Sequence, residues 1–167
     1  GARAAALLGV SGKQTPGGHL YMLGVTGRPD LPAVDKGGRR ISDDDILGFW
    51  WSPDGRSIAY LSADLSRKLL ALYSLDVEKG SRTHLASLAP SHSTQLLLGF
   101  FDQYTLSSSF WSPDSRYFVY AGITMREQSN GHQHERDEHE IFLVPVDGSE
   151  PPRRLGPGQL AVFAPRV

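Results

Sequence analysis

At 167 residues with 40% hydrophobic content, the chain is long enough for one ordered domain with its own core. Its 17 basic and 18 acidic residues leave a formal net charge of -1, which gives no global field for nucleic acid or an anionic membrane surface. There is no cysteine, so disulfides, thiolate metal sites and cysteine nucleophiles are excluded together, and no apolar run approaches the ~20 residues that span a bilayer.

In chain order, residues 4–10 form a short apolar run that reads as a strand, the tail of a processed signal sequence being the other reading. A second strand is expected at residues 19–25, a turn at Thr26-Gly27-Arg28, and a basic third strand at Arg39-Arg40-Ile41. Asp43-Asp44-Asp45 then reads as a solvated turn, with Ca²⁺ binding the alternative such a run allows. Residues 46–51 lead into the phrase Trp51-Ser52-Pro53-Asp54-Gly55. Its chemistry is that of a tight turn: Pro53 presets φ, Asp54 can bond back to the turn backbone, and Gly55 tolerates positive φ.

The phrase returns as Trp111-Ser112-Pro113-Asp114-Ser115, 60 residues on from Pro53 to Pro113, and Val162-Phe163-Ala164-Pro165-Arg166 has the same aromatic-small-Pro shape. Measured from these joints, each interval has one grammar: a strand, a polar loop, a second strand, a turn, a basic third strand, and a fourth leading to the next joint. Second strands fall at 19–25, 70–76 and 140–146, and third strands at 39–41, 81–85 and 152–155. The arginines of the third strands read as solvated edges, which discourage edge pairing, rather than as a phosphate site. Four short antiparallel strands at this period are the arithmetic of a β-propeller blade.

Trp51-Ser52-Pro53-Asp54-Gly55, the strand Arg56-Ser57-Ile58-Ala59-Tyr60, then Leu72-Tyr73-Ser74-Leu75-Asp76 and Arg82-Thr83-His84-Leu85, resemble the repeat of TolB-like (WD40-like) β-propellers. They are also similar to the propeller domains of prolyl oligopeptidase-type hydrolases. The resemblance implies an all-β chain, a propeller segment of about three four-stranded antiparallel blades, with repeats at 1–54, 55–114 and 115–167. It further implies a non-catalytic scaffold that presents blade loops to a protein partner in the periplasm or cell envelope, without a cofactor. The alternative it leaves is the accessory propeller of a serine hydrolase whose catalytic domain lies outside this chain. Propellers have four to eight blades, so three imply either part of a larger propeller or two copies building a six-bladed ring, in which residues 159–164 complete the first blade of the neighbouring copy.

One interval is long: Leu85 to Trp111 spans 26 positions against 10 from Ile41 to Trp51. The excess includes residues 96–104 (LLLGFFDQY), expected as a strand-like half, a bend at Asp102-Gln103 and a second half. Phe100, Phe101, Asp102 and Tyr104 either meet a partner or the central channel, or the aromatics fill core between blades. A second departure is the His-rich stretch holding His132, His134 and His139, in a loop between first and second strands. Imidazoles among carboxylates suit Zn²⁺, but His134 and His139 are five apart and miss the four-residue spacing of a helical H-E-x-x-H. Gly9-Val10-Ser11-Gly12-Lys13 fails both as a nucleophile elbow and as a phosphate loop. No Ser-His-Asp set is assembled by spacing.

Overall fold

A computed structural model describes residues 2–9, 18–25, 39–100, 109–124 and 139–164. These form β1 (Ala2–Gly9), β2 (Gly18–Val25), β3 (Arg39–Trp51), β4 (Ser57–Asp64), β5 (Leu69–Asp76), β6 (Arg82–Pro90), α1 (His92–Gly99), β7 (Tyr117–Thr124), β8 (Glu140–Pro145) and β9 (Arg153–Pro157). Each strand pairs antiparallel with the next in sequence, so the order is β1 through β9, and among the described residues the sheet is open. The all-β expectation holds, as do the second and third strands of all three intervals.

The blades arise because two strands serve twice. The first half of β3 pairs with β2, Leu20 opposite Ser42 and Met22 opposite Arg39. Its second half pairs with β4, Trp50 opposite Ala59 and Trp51 opposite Ile58. It is therefore the outer strand of one blade and the inner strand of the next. Asp43-Asp44-Asp45 lies within β3, a correction to the expected turn: the chain crosses between blades without leaving the extended conformation.

The middle blade, the second half of β3 with β4, β5 and β6, is covered on both faces. Side chains alternate across a strand, and β4 shows it: Ala59 and Leu61 join one core cluster with Trp50, Leu72, Phe110 and Phe118, towards the third blade. Ile58 and Tyr60 join a second with Leu20, Ile46 and Leu75, towards the first. Five consecutive buried positions in β4 follow from that double covering.

The third blade has its inner strand in two pieces. At one end Pro90 of β6 pairs with Gly122 of β7. At the other Trp111 bridges Phe118, and Val119 N–H donates to Phe110 O at 2.9 Å. The long interval is inserted between these pieces, and its described part begins with a helix. This corrects the strand expected from residue 96 onward: 92–99 is α1, capped by Ser91, whose Oγ accepts from Thr94 N–H at 3.0 Å. Three leucines in a row, Leu96 to Leu98, carry no period that separates helix from strand, and the Ser91 cap tips the balance.

The strand expected at residues 159–164 is also corrected. This segment forms no strand within the chain; Phe163 N–H donates to Ser109 O at 2.7 Å, and Ala161 and Phe163 pack on the third blade's core.

Candidate functional site

The two joints are built alike. Gly55 N–H donates to Ser52 O at 2.9 Å, Ser52 Oγ donates to Asp54 Oδ1 at 2.6 Å, and Arg56 N–H donates to that same oxygen at 3.0 Å. The second joint repeats this with Ser112, Asp114 and Arg116. Burial pushes the Asp54 carboxyl up, but the Ser52 hydroxyl and the Arg56 amide hold it below its usual range. The Ser112 hydroxyl and the Arg116 amide lower Asp114 likewise. Gly55 sits at φ 68° and Ser115 at φ 62°, so Ser115 bears a conformation that favours glycine. A compensating bond accompanies it: Asp54 N–H donates to Ser115 Oγ at 3.1 Å, tying one joint to the next. Trp51 is half-buried and packs towards the first blade. Trp111, at the same place in its phrase, is buried, and its Nε1–H donates to Trp50 O at 3.0 Å. Trp51, Pro53, Asp54, Gly55, Trp111, Pro113 and Asp114 thus make a scaffold of the joints.

Of the residues expected to meet a partner, Phe101, Asp102 and Tyr104 lie outside the described residues. Phe100 is described, and it corrects the reading of this aromatic as core filling: it caps α1 and is 49% exposed. Its N–H donates to Leu96 O at 3.2 Å, which stacks it one turn beyond Leu96, itself 51% exposed. The opposite side of α1 is anchored, Leu97 and Leu98 packing on the core and Ser91 Oγ donating to Gln159 O at 2.9 Å. Pro90, immediately before that cap, lines a mostly apolar groove of about 270 Å³ with Leu47, Leu65, Leu69 and Leu70. Leu65, at the turn between β4 and β5, is 71% exposed. This blade end, groove plus helix, is the candidate interaction surface.

A second feature lies between the first and middle blades, and sequence reasoning missed it. Asp44 Oδ2 accepts from Tyr60 Oη at 2.7 Å, from Ser42 Oγ at 3.0 Å and from Arg82 Nη1. The Arg82 guanidinium lies 5.1 Å from the Tyr73 ring centroid. Tyr60 stacks on Tyr73 at 5.2 Å, and Tyr73 meets the edge of His84 at 5.2 Å, a row across β4, β5 and β6. Burial pushes the Asp44 carboxyl up, yet its bonds from Arg82, Tyr60 and Ser42 outweigh burial and hold it below the usual range. Burial, then the bond to Asp44, pushes the Tyr60 phenol up to about 12. Of the third-strand arginines, Arg40, Arg82, Arg153 and Arg154 are exposed as expected, but two are not merely solvated: Arg82 pairs with Asp44 and Arg154 with Glu140.

Of the three candidate metal-binding histidines, His132 and His134 lie outside the described residues, and His139 stands just before β8. Among the described residues no three His, Cys, Asp or Glu side chains come together as a metal site. No helix among them is long and apolar enough to cross a membrane.

No protein-family model matches the chain, and no curated protein does. Solved structures do. The β-propeller domain of the Trilobed protease from Pyrococcus furiosus aligns over 84% of this chain and 35% of its own, at TM-score 0.52 and 15% identity. Pyrococcus horikoshii acylaminoacyl peptidase aligns over 84% of this chain and 21% of its own, at TM-score 0.49 and 14% identity. TolB from Acinetobacter baumannii aligns over 84% and 27%, at TM-score 0.45 and 20% identity. The chain spans about a third or less of each of these structures. At such identities the likeness speaks to fold alone, and with the blade pairing above it gives the chain a β-propeller architecture, present here as an open run of blades.

Proposed function

We propose that this chain is a non-catalytic protein-binding part of a β-propeller, and that the partner docks on the blade end formed by α1 and the groove beside it. The observation that carries this reading is the exposed apolar set on an inserted element: Leu96 and Phe100 on one side of α1, with Leu65 at the lip of the groove. Large apolar side chains left exposed on an anchored element are the kind of feature that marks interaction sites, and aromatic and aliphatic anchors carry most of an interface's energy. Cofactor chemistry has no part in the reading. Further blades, from a second copy or a longer chain, would flank the open edges, and sedimentation of the isolated chain reads that choice directly.

The test compares partner capture by the wild-type chain with that by Leu65→Asp and Phe100→Ser, each checked for an unchanged thermal melt. Both positions are exposed, so folding is expected to persist while capture falls by about tenfold or more. Equal capture by a variant and the wild type sinks the reading.

A second reading makes these blades the accessory propeller of a serine hydrolase, supported by the propeller of the Trilobed protease, the one structure above aligning at TM-score 0.52. A G-x-S-x-G domain encoded downstream would favour this reading and its absence the first. The periplasm or cell envelope is the setting proposed for the scaffold, and fractionation of cells expressing the full gene checks it.

A further inference from the structure

Two weakly held elements meet beside the third blade. No residue of α1 is buried, and none of residues 159–164 is. A helix of eight residues is marginal in water by itself, since nucleating it costs more than its few hydrogen bonds return. Segments with so little buried surface are the ones that open locally while the rest of a fold stays closed.

Ser91 joins the two. It is wholly buried, and its hydroxyl accepts from Thr94 N–H at 3.0 Å while donating to Gln159 O at 2.9 Å. One oxygen thus caps the helix and ties the segment. Ser93 Oγ adds a bond to Gln159 Oε1 at 3.4 Å, and Thr94 Oγ1 donates to Ala121 O of β7 at 3.3 Å. The two elements also share an apolar cavity of about 30 Å³: α1 lends Thr94 and Leu97 to its lining, the segment lends Leu160, and Trp50, Phe110 and Phe118 face them from the core. A void of this size holds one water at most, and an apolar lining gives that water few partners. Lifting either element lets solvent into the cavity and strips the other of contacts it shares there.

We propose that α1 and residues 159–164 are a single lid over this cavity, opening and closing as one unit through the Ser91 hydroxyl. The lid stands on the chain's own bonds; its use by a partner rests on the reading above. A partner seated on Leu96 and Phe100 then also holds residues 159–164 in place, and by linkage whatever draws that segment away weakens the docking.

Hydrogen exchange of the intact chain, read amide by amide by NMR, tests the lid without any partner. Gln95 N–H, bonded to Ser91 O, reports the helix; Phe163 N–H, bonded to Ser109 O, reports the segment; Val119 N–H, bonded to Phe110 O, reports the blade beneath. Phe163→Ala loosens the segment beyond Gln159 and is expected to lower protection of the Gln95 amide about tenfold. Leu98→Ala loosens the helix and is expected to lower protection at residue 163 by a similar factor. Val119 should hold in both. Once Ser91→Ala has removed the shared hydroxyl, each of these changes should act on its own element alone. Either cross-effect missing in the otherwise wild-type chain overturns the proposal, as does a fall at Val119 by the same factor, which would mean global opening. Cross-effects that survive Ser91→Ala overturn it too. Partner capture by Phe100→Ser tests the docking face separately, so loss of one result leaves the other standing.

Discussion

The middle blade meets its two neighbours through unlike contacts. Towards the third blade the contact is dry and aromatic: Trp50 packs on Phe110 at 5.1 Å and on Phe118 at 5.7 Å, with Trp111 edge-on to Phe118 at 5.7 Å. Its polar ties include the indole bond from Trp111 to Trp50 O and, at the joints, the bond from Asp54 N–H to Ser115 Oγ. Towards the first blade, Leu20, Ile46 and Ile58 are fully buried, but Asp44, Tyr60 and Arg82 add a charged clamp at the rim. The difference teaches that one strand, β4, specifies two kinds of interface through its alternate residues. Packing fixes one neighbour, and charge-assisted hydrogen bonds add register to the other.

The largest effect should come from the dry side. Phe118→Ala removes a ring that touches Trp50, Phe110 and Trp111, and is expected to cost about 3–5 kcal/mol in chemical denaturation. A loss below about 1 kcal/mol would mean the blades are not held there. Next, Trp111→Phe deletes the indole donor and leaves Trp50 O without it, an expected loss of about 1–3 kcal/mol.

On the clamped side, Asp44→Asn should cost about 1–3 kcal/mol at neutral pH, because it strips charge from three hydrogen bonds at once. The pH dependence carries the signature. The folded carboxyl of Asp44 lies below the ordinary aspartate value of 3.8, so its stabilisation is present above that value and lost as pH falls through the lowered one. Tyr60 is shifted up, so its contribution is full below 10.0 and lost as pH rises towards about 12. Stability curves from pH 2 to 12 should therefore flatten at the acid end in Asp44→Asn, and an unchanged acid limb would remove the clamp from the account. Because turn carboxylates such as Asp114 also titrate low, the comparison must be with the wild-type limb rather than with a flat line.

The smallest effect should be at the joints. Ser115→Gly relieves a positive φ worth about 1 kcal/mol but gives up the bond from Asp54 N–H. The two nearly cancel, so a shift within about 1 kcal/mol either way is expected by thermal melt. A clear stabilisation would show that the joint-to-joint bond contributes little.

The blade plan was legible because its signals are local. Trp-Ser-Pro-Asp and the strands after it announce themselves within ten residues. The His-rich stretch lies in sequence between β7 and β8, and His132 and His134 fall outside the described residues. What escaped was either non-local or without period. Asp44 read as part of a solvated turn because its partners, Tyr60 and Arg82, lie 16 and 38 residues away. Residues 96–101 looked like strand because Leu-Leu-Leu-Gly-Phe-Phe satisfies either period. The cap at Ser91 following Pro90 was the available clue, since serine at an N-cap bonds back to the first turn. Residues 159–164 alternate as a strand would, with Leu160 and Val162 outward and Ala161 and Phe163 inward, but pattern alone supplies no neighbouring edge.

The split inner strand of the third blade has a consequence for how the chain tolerates change. Its two halves are clamped by opposite ends of β7, Pro90 at Gly122 and Trp111 at Phe118. Twenty residues separate Pro90 from Trp111 where four separate Ile46 from Trp51 at the matching places in the middle blade. Loop closure costs rise only with the logarithm of length, about 0.6 kcal/mol per doubling. The seam is therefore the place in the gene where added sequence is expected to cost least: an insertion there lengthens a connection that is already long, while the paired strands on either side keep their partners.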